Sequence, residues 1–461
     1  MFTDDLSTSA GSLPQKIAPD LIYGLDDRPP FRQSIFAALQ HVLAVFVGIV
    51  TPPLLFAKAL KLDSADENVL VSMALLISGV GTILQSRRLG PIGSGLLSIQ
   101  GTSFVFLGPV TALAQTVMAE GSSLHAAMGA VFGSCLTAAV VPLFLSPFIQ
   151  RASKVITPLV TGIVVTLIGL TLVQVGITSL GGGFEARASG SFGSAQNLLW
   201  AAIVIGLIVL LNSSKSEWLR LVSVVAGLAG GYVIAVIAGK IGFTQLRGLS
   251  WFTVPAPLHY GLGLRLSALI PLGFLYLITA IESIGDLTAT CSLANQPITG
   301  PLYLRRLRGG VMADGVSSLL AAIFNSFPST TFAQNNGIIQ LTGVASRYVA
   351  LYVGAMLMLL GLSPMVAGIV QSIPQSVLGG ATIIMFGTVA VSGIKILSGV
   401  TMDRRASTIA AISFGLGLGV TFVPEIMQSA PAIVKETFSS GIATGGLCAL
   451  VLNAILPGNK A

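Results

Sequence analysis

Long apolar runs separated by short polar or charged stretches recur along the whole 461-residue chain. They fall near 34–56, 68–86, 96–114, 125–149, 156–177, 197–212 and 219–239. A second set falls near 266–290, 309–327, 330–342, 347–362, 376–398, 406–423 and 438–457. At a rise of about 1.5 Å per residue, runs of this kind suit α-helices crossing a hydrocarbon core of roughly 30 Å. The pattern predicts fourteen membrane segments, and two of them break it. One opens on Ser98-Ile99-Gln100-Gly101-Thr102-Ser103; the other carries Thr330, Gln334, Asn335, Asn336 and Gln340. Amides at membrane depth are costly unless a cavity or partner satisfies them, so these two segments are suited to holding a polar solute.

Composition agrees with a polytopic α-helical membrane protein. The chain is 53% hydrophobic and 9% charged, against roughly a quarter charged in soluble domains. An outer-membrane barrel would instead show short alternating segments. No removable signal peptide is expected, because the first thirty-odd residues are polar and carry both signs of charge. Cys135, Cys291 and Cys448 are scattered in or beside apolar runs and read as small buried hydrophobes, with neither a metal spacing nor a disulfide framework among them. No metal spacing, nucleophile–base pair or phosphate loop suggests an enzyme, and no cofactor is implied.

The net charge of +7 is a matter of topology, and nucleic acid is not an expected partner. With both termini placed in the cytoplasm, seventeen of the 24 lysines and arginines fall on the inner side, among them Lys16, Arg87, Arg88, Arg151, Lys154, Arg305, Arg306, Arg308, Arg347 and Lys460. Seven fall outside: Lys58, Lys61, Arg187, Lys240, Arg247, Arg265 and Lys435. That bias is what the positive-inside rule requires. Seven segments followed by seven more means that the second set enters from the opposite face, an inverted repeat. The two polar-interrupted segments are each third in their half, and paired interruptions of that kind point to a binding site. Pro158, Gly162 and Gly169 also have an echo in Pro374, Gly380 and Gly387.

Ionisable residues inside the runs are few. Glu282 and Asp286 stand four apart, on one face of a helix. Asp314 lies in Gly309-Gly-Val-Met-Ala-Asp-Gly315, where glycines permit close packing, and His41 lies inside the first run. Such groups at bilayer depth face a cavity, pair up, or carry protons. Glu282 can accept from a ligand N–H; Asp286 and Asp314 can equally hold helices in register, and His41 suits a packing or network role.

The run Gln334-Asn-Asn-Gly337-Ile-Ile-Gln-Leu-Thr342-Gly343 resembles the signature of the nucleobase–ascorbate transporter family: Gln, Asn, any residue, Gly, four variable residues, Thr, then Arg, Lys or Gly. The resemblance extends over essentially the whole chain and includes Leu39-Gln-His-Val-Leu43, Gly93–Gln100, Ile281–Asp286, Ala313-Asp-Gly315 and Asn325-Ser-Phe-Pro328. Within the family the chain is most similar to bacterial xanthine permeases and fungal urate–xanthine permeases. The resemblance implies a core domain (34–149 and 258–362) and a gate domain (150–241 and 363–457), flanked by cytoplasmic tails at 1–33 and 458–461. It implies short strands leading into half-helices in segments three and ten, a homodimer joined through the gate domain, and a bacterial-type inner membrane as the location.

It also implies roles for residues. Glu282 matches the glutamate that accepts from a purine ring, and Gln334 the glutamine that reads the opposite edge. Backbone groups at Phe104 and Ala333 add donors and acceptors, and the Phe104 ring suits stacking on the base. Asp314 and His41 match positions of coupling and network integrity, and Asn335 one that orients its neighbours. Asp286 departs from uracil carriers, which have histidine there, but fits the purine group. Ser103 stands where some xanthine-selective relatives have asparagine, and its small volume leaves room for the C8 carbonyl of urate. The expectation is therefore a proton-coupled purine symporter, with an anion carrier of the same architecture, or a uracil or guanine/hypoxanthine permease, as alternatives.

Overall fold

The structure, a computed structural model, describes residues 21–152, 156–239, 241, 250–431, 434, 435, 438 and 440–456. Lys16, Lys154, Lys240, Arg247 and Lys460, residues 1–20 of the first tail and the whole 458–461 tail lie outside the described residues. Two long helices open the chain, α1 (Phe31–Leu60) and α2 (Ser64–Ser86). Strand β1 (Gln100–Thr102) and a 3-10 turn (Phe104–Phe106) then lead into α3 (Leu107–Ala119). The next span, Leu124–Phe148, comprises α4 (Leu124–Ala138), α5 (Val140–Leu145) and a 3-10 turn, and α6 (Ile149–Ala152) follows. The half closes with α7 (Pro158–Leu180), α8 (Gly183–Ala188), α9 (Ala195–Asn212) and α10 (Glu217–Ile237).

The second half repeats the order: α11 (Leu266–Leu293), α12 (Gly300–Ile323), β2 (Ser329–Thr331), α13 (Gln334–Thr342) and α14 (Val349–Gly361). It ends with α15 (Pro364–Gln371), α16 (Gln375–Ser398), α17 (Arg404–Phe422) and α18 (Gly441–Ile455). Among the described residues eight helices are long and apolar enough to cross a membrane, or nine with the α14–α15 pair, bent by 75°. The chain is a multi-pass helical membrane protein. Several of the fourteen apolar runs are thus not full-length spans. The run at 96–114 divides between a strand and a helix, and α13 has 9 residues. The sequence pattern gave no hint of α15, and α12 starts nine residues before the run at 309–327, so Arg305, Arg306 and Arg308, expected in a loop, are helical.

Capping explains where many helices start. The side chains of Asp63, Ser123, Thr157, Ser194, Asp403 and Ser440 each accept from a backbone N–H in the first turn that follows. Helix α1 ends in a left-handed Lys61 at φ 56°, whose N–H reaches Ala57 and Lys58 carbonyls. Packing follows a pattern. α2 lies on α14, and α12 on α4 and α5; α9 lies on α10, and α17 on α18. α1 touches α10 and α11 touches α18, while α16 packs on α9 and α7 on α17. α7 and α16 pack closely on each other, Gly169 against the backbone of Ala390 and Gly393 against that of Thr166. Cys135 and Cys291 are buried and Cys448 half-buried, all as free thiols.

The strands meet in the middle. β1 and β2 pair antiparallel, Gln100 opposite Thr331, Gly101 opposite Thr330 and Thr102 opposite Ser329, and all six residues are buried. Phe332 locks this pair against α1. Its ring fills a slot between Gly48 and Gly101, where an added Cβ would come within 2.6 Å and 2.5 Å of ring carbons. Replacing Gly101 with alanine forces the ring aside, at a cost of about 1–3 kcal/mol for overpacking. Gly101→Ala is therefore expected to lower the thermal unfolding midpoint in detergent. Gly206→Ala, where nothing lies within 4 Å of the new Cβ, should leave it unchanged.

Candidate functional site

Three helices and two strands bring the polar residues together. On α11, the i, i+4 spacing puts Glu282 and Asp286 on one face, as the sequence predicts, and that face meets β2. Thr330 Oγ1 donates to Glu282 Oε2 at 3.5 Å, and Thr331 Oγ1 to Asp286 Oδ2 at 3.0 Å. Ser283, between them, shares hydroxyl contacts of 3.3 Å with both threonines. Both carboxyl groups are half-buried, and with one threonine donor on each they keep acceptor capacity. The α11 face continues to Thr290, which donates to Asn336 Oδ1 at 2.7 Å, while Asn336 Nδ2 donates back to the Asp286 carbonyl at 3.4 Å.

Asp314 holds the other strand. On α12, it accepts from Gln100 Nε2 at 2.6 Å and from Gln85 Nε2 at 3.4 Å. Gln85 also accepts from the Ser94 N–H at 3.1 Å, and Ser94 Oγ donates to the Gln85 carbonyl at 3.2 Å. A neighbouring α12 hydroxyl, Ser318, takes the Ser329 N–H at 3.0 Å. On α2, Thr82 Oγ1 takes the Gln100 N–H at 3.0 Å, and Thr102 Oγ1 donates to the Ile49 carbonyl of α1 at 2.8 Å. Asp314 is thus 4% exposed and wired into the scaffold, unlike the half-open pair on α11. Sequence reasoning missed Gln85, Thr82, Ser318 and the pairing partner of Gln100. The signal was available, since each is a polar residue inside an apolar run.

The interrupted segments supply helix starts. β1 runs through Ser103 into the 3-10 turn and α3; β2 runs through Phe332 and Ala333 into α13. The first turns of α3 and α13 therefore begin beside the strand pair, each presenting the positive end of a helix dipole. Asn335, 1% exposed, sends its Nδ2 to the Leu97 carbonyl at 2.6 Å and ties α13 to the chain entering β1. Ser103 is fully buried; its N–H bonds to the Pro328 carbonyl at 2.8 Å, while its hydroxyl has no partner among the described residues. Gln334 and Ala333 are half-buried. Phe104 is half-buried with its ring edge-on to Phe386 of α16, centroids 5.1 Å apart. His41 lies apart from this network: it is fully buried, and neither ring nitrogen has a hydrogen-bond partner among the described residues.

A cavity of about 640 Å³ runs along α3 and meets the named site residues at Phe104, while Glu282, Asp286, Ala333 and Gln334 do not line it. Phe104 lines one end, and Glu120 and Arg265 line the other, joined by two hydrogen bonds of 2.8 and 2.5 Å. Its walls come from α3 and the start of α11 on one side and from α7, the end of α17 and the start of α18 on the other. A small planar solute fits a volume of this size.

Comparison with known proteins decides the class. A family model described as "Permease family" (Xan_ur_permease) matches residues 32–426. The chain belongs to this family, the nucleobase–ascorbate transporters. It is a transporter and not an enzyme. It is 48% identical over 455 residues to the xanthine permease XanP of Escherichia coli K12, covering 98% of each chain. It is 43% identical over 442 residues to XanQ of the same strain, covering 95% of this chain and 94% of that one. The uric acid permease PucJ of Bacillus subtilis is 35% identical over 420 residues, 90% of this chain and 91% of that one. Among solved structures, the transmembrane domain of the cyanobacterial bicarbonate transporter BicA superposes with a TM-score of 0.52 at 16% identity, over 91% of this chain and 99% of that one. SLC26A9 gives 0.59 at 14% identity, over 93% of this chain and 66% of that one. Those two likenesses concern the fold.

The Asn335 bond makes a direct test of the site's frame. Asn335→Ala leaves the Leu97 carbonyl unsatisfied in a buried position, which costs about 1–3 kcal/mol. The expected outcome is a lower unfolding midpoint together with weaker transport, measured on the same preparation.

Proposed function

We propose that this permease is a proton-coupled symporter that imports purine bases by alternating access, with xanthine as the main substrate and urate as the second. The observation that carries the reading is the pair of half-open carboxyl groups on α11, set against a strand pair from which two half-helices start. A purine dione offers ring N–H donors and carbonyl acceptors in one plane. Glu282 takes the N–H groups, and Gln334 donates and accepts at the opposite edge. Backbone groups at Phe104 and Ala333 complete the ring of contacts, and Phe104 covers its face. The relatives that are xanthine and uric acid permeases support the substrate class. Ser103, whose small hydroxyl has no partner among the described residues, is the position assigned here to the C8 oxygen of urate.

The same proposal gives the architecture. If α1, α2, α4, α7, α9 and α10 correspond to α11, α12, α14, α16, α17 and α18, several contacts pair up between the halves: α2 on α14 with α12 on α4, α1 on α10 with α11 on α18, α16 on α9 with α7 on α17. This symmetry supports a 7+7 inverted repeat. The core domain then comprises 34–149 and 258–362 and the gate domain 150–241 and 363–457, with a homodimer formed through the gate. With both termini in the cytoplasm of a bacterial-type inner membrane, the cavity along α3 faces outward. A proton and a neutral base load from that side, the core slides against the gate, and both leave to the less acidic interior. Asp286 and Asp314 hold the strands that carry the site, and Asn335 orients α13. Only a difference in affinity between the two states drives such a cycle.

Labelled xanthine uptake into cells expressing the chain tests this reading. Uptake should fall as external pH rises and collapse with a protonophore; unlabelled urate should compete and uracil should not. Glu282→Gln, which removes a charge-assisted hydrogen bond worth about 1.5–3 kcal/mol, should weaken xanthine uptake by about 10- to 100-fold. Ser103→Asn should spare xanthine and relieve competition by urate. Inhibition by uracil but not urate would sink the purine assignment. Absence of uptake of any base, with the protein present in the membrane, would favour anion transport.

A further inference from the structure

Arginines gather at the opposite end of α12 from β2. Arg306 is 6% exposed, although it sits only six residues from the helix start. One terminal nitrogen donates to Gln296 Oε1 at 2.8 Å; Nε and the other terminal nitrogen have no hydrogen-bond partner among the described residues. The thiol of Cys291, a weak acceptor, lies beside the group. A buried guanidinium without a counter-charge is expensive, and an orphaned donor adds to that cost.

The surroundings add positive charge. Gly93 donates to the Gly309 carbonyl at 2.8 Å, and this close approach lays the 87–95 segment over α12. Arg305, Arg306 and Arg347 all lie within electrostatic reach of Arg88 in that segment. Burial first, and then repulsion from Arg306, Arg305 and Arg347, pull the Arg88 guanidinium below its ordinary range. Asp26 reaches the cluster, but its carboxylate is already held by Arg347 at 2.5 Å. Arg88 and Arg305 are exposed and form no ion pair among the described residues. Residues 22–25 bond to the backbone of 343–347 and fix Arg347 at the rim.

We infer that Arg306, Arg88 and Arg305 form a binding site for a phosphoryl anion, the headgroup of an anionic phospholipid. Guanidinium forks match phosphate oxygens in bidentate geometry, and the unpartnered Arg306 N–H groups lack such an acceptor. The site lies where α2, a helix long and apolar enough to span, ends beside the start of α12; with the termini in the cytoplasm this is the inner end of that span, and basic pockets there suit anionic lipids. It is separate from the carboxyl face of α11 and does not depend on the purine reading.

Thermal unfolding of the full chain in detergent tests the site. Phosphatidylglycerol should raise the midpoint by several degrees, and phosphatidylcholine should not, because a ligand that binds only the folded state stabilises it. The double substitution Arg88→Gln, Arg305→Gln should remove most of that rise, and Lys395→Gln should leave it intact. Because both altered arginines are exposed, this variant folds even if Arg306→Gln does not. A rise of the same size with inorganic phosphate would keep the site and assign it to a free anion. No rise with either, or a full rise in the double variant, would overturn the proposal.

Discussion

Everything at the centre of this protein depends on six residues of backbone. In an apolar interior a peptide group that pairs with nothing costs several kcal/mol, so the chain has to stay helical or find another ladder. Residues 100–102 and 329–331 leave the helix and pair with each other. Because they come from separate halves of the chain, neither can form alone. Their side chains are then claimed by three neighbouring helices: Gln100 by Asp314 of α12, Thr102 by α1, Thr330 and Thr331 by the carboxyl groups of α11. The ladder, with the hydroxyls of Thr82 and Ser318, satisfies this backbone, and two helices start beside it.

That arrangement divides three acidic residues into two classes. Asp314 spends its bonds on Gln85 and Gln100 and is nearly inaccessible. Glu282 and Asp286 each take one threonine hydroxyl and remain half-open. Charge type alone does not separate them; what separates them is access, since Asp314 is 4% exposed and the other two are half-buried. The half-open pair is the one suited to a ligand that brings its own donors, while a group as enclosed as Asp314 suits maintenance of the frame.

Much of this was legible in the sequence because apolar runs must be long to cross a bilayer and polar residues inside them must have a reason. The two interrupted segments, the shared face of Glu282 and Asp286 and the buried position of Asp314 all follow from that rule. What was not legible has physical causes too. Segment length fixes neither a bend nor a short helix, so α15 and the 75° turn before it were invisible. The arginines at 305, 306 and 308 read as loop charge because side-chain type says nothing of whether a helix has already begun. Arg306 is buried in spite of its charge, which only the packing of the 87–95 segment over α12 reveals. His41 was expected in a network, and the structure leaves its ring nitrogens without partners among the described residues.

The most direct test is equilibrium binding of labelled xanthine to the purified protein and to its Glu282→Gln variant, with unfolding midpoints checked on both. If the half-open carboxyl face of α11 is the purine site, the intact protein binds and the variant, equally stable, loses most of that binding. Undiminished binding by a folded Glu282→Gln variant would place the solute elsewhere and contradict the account.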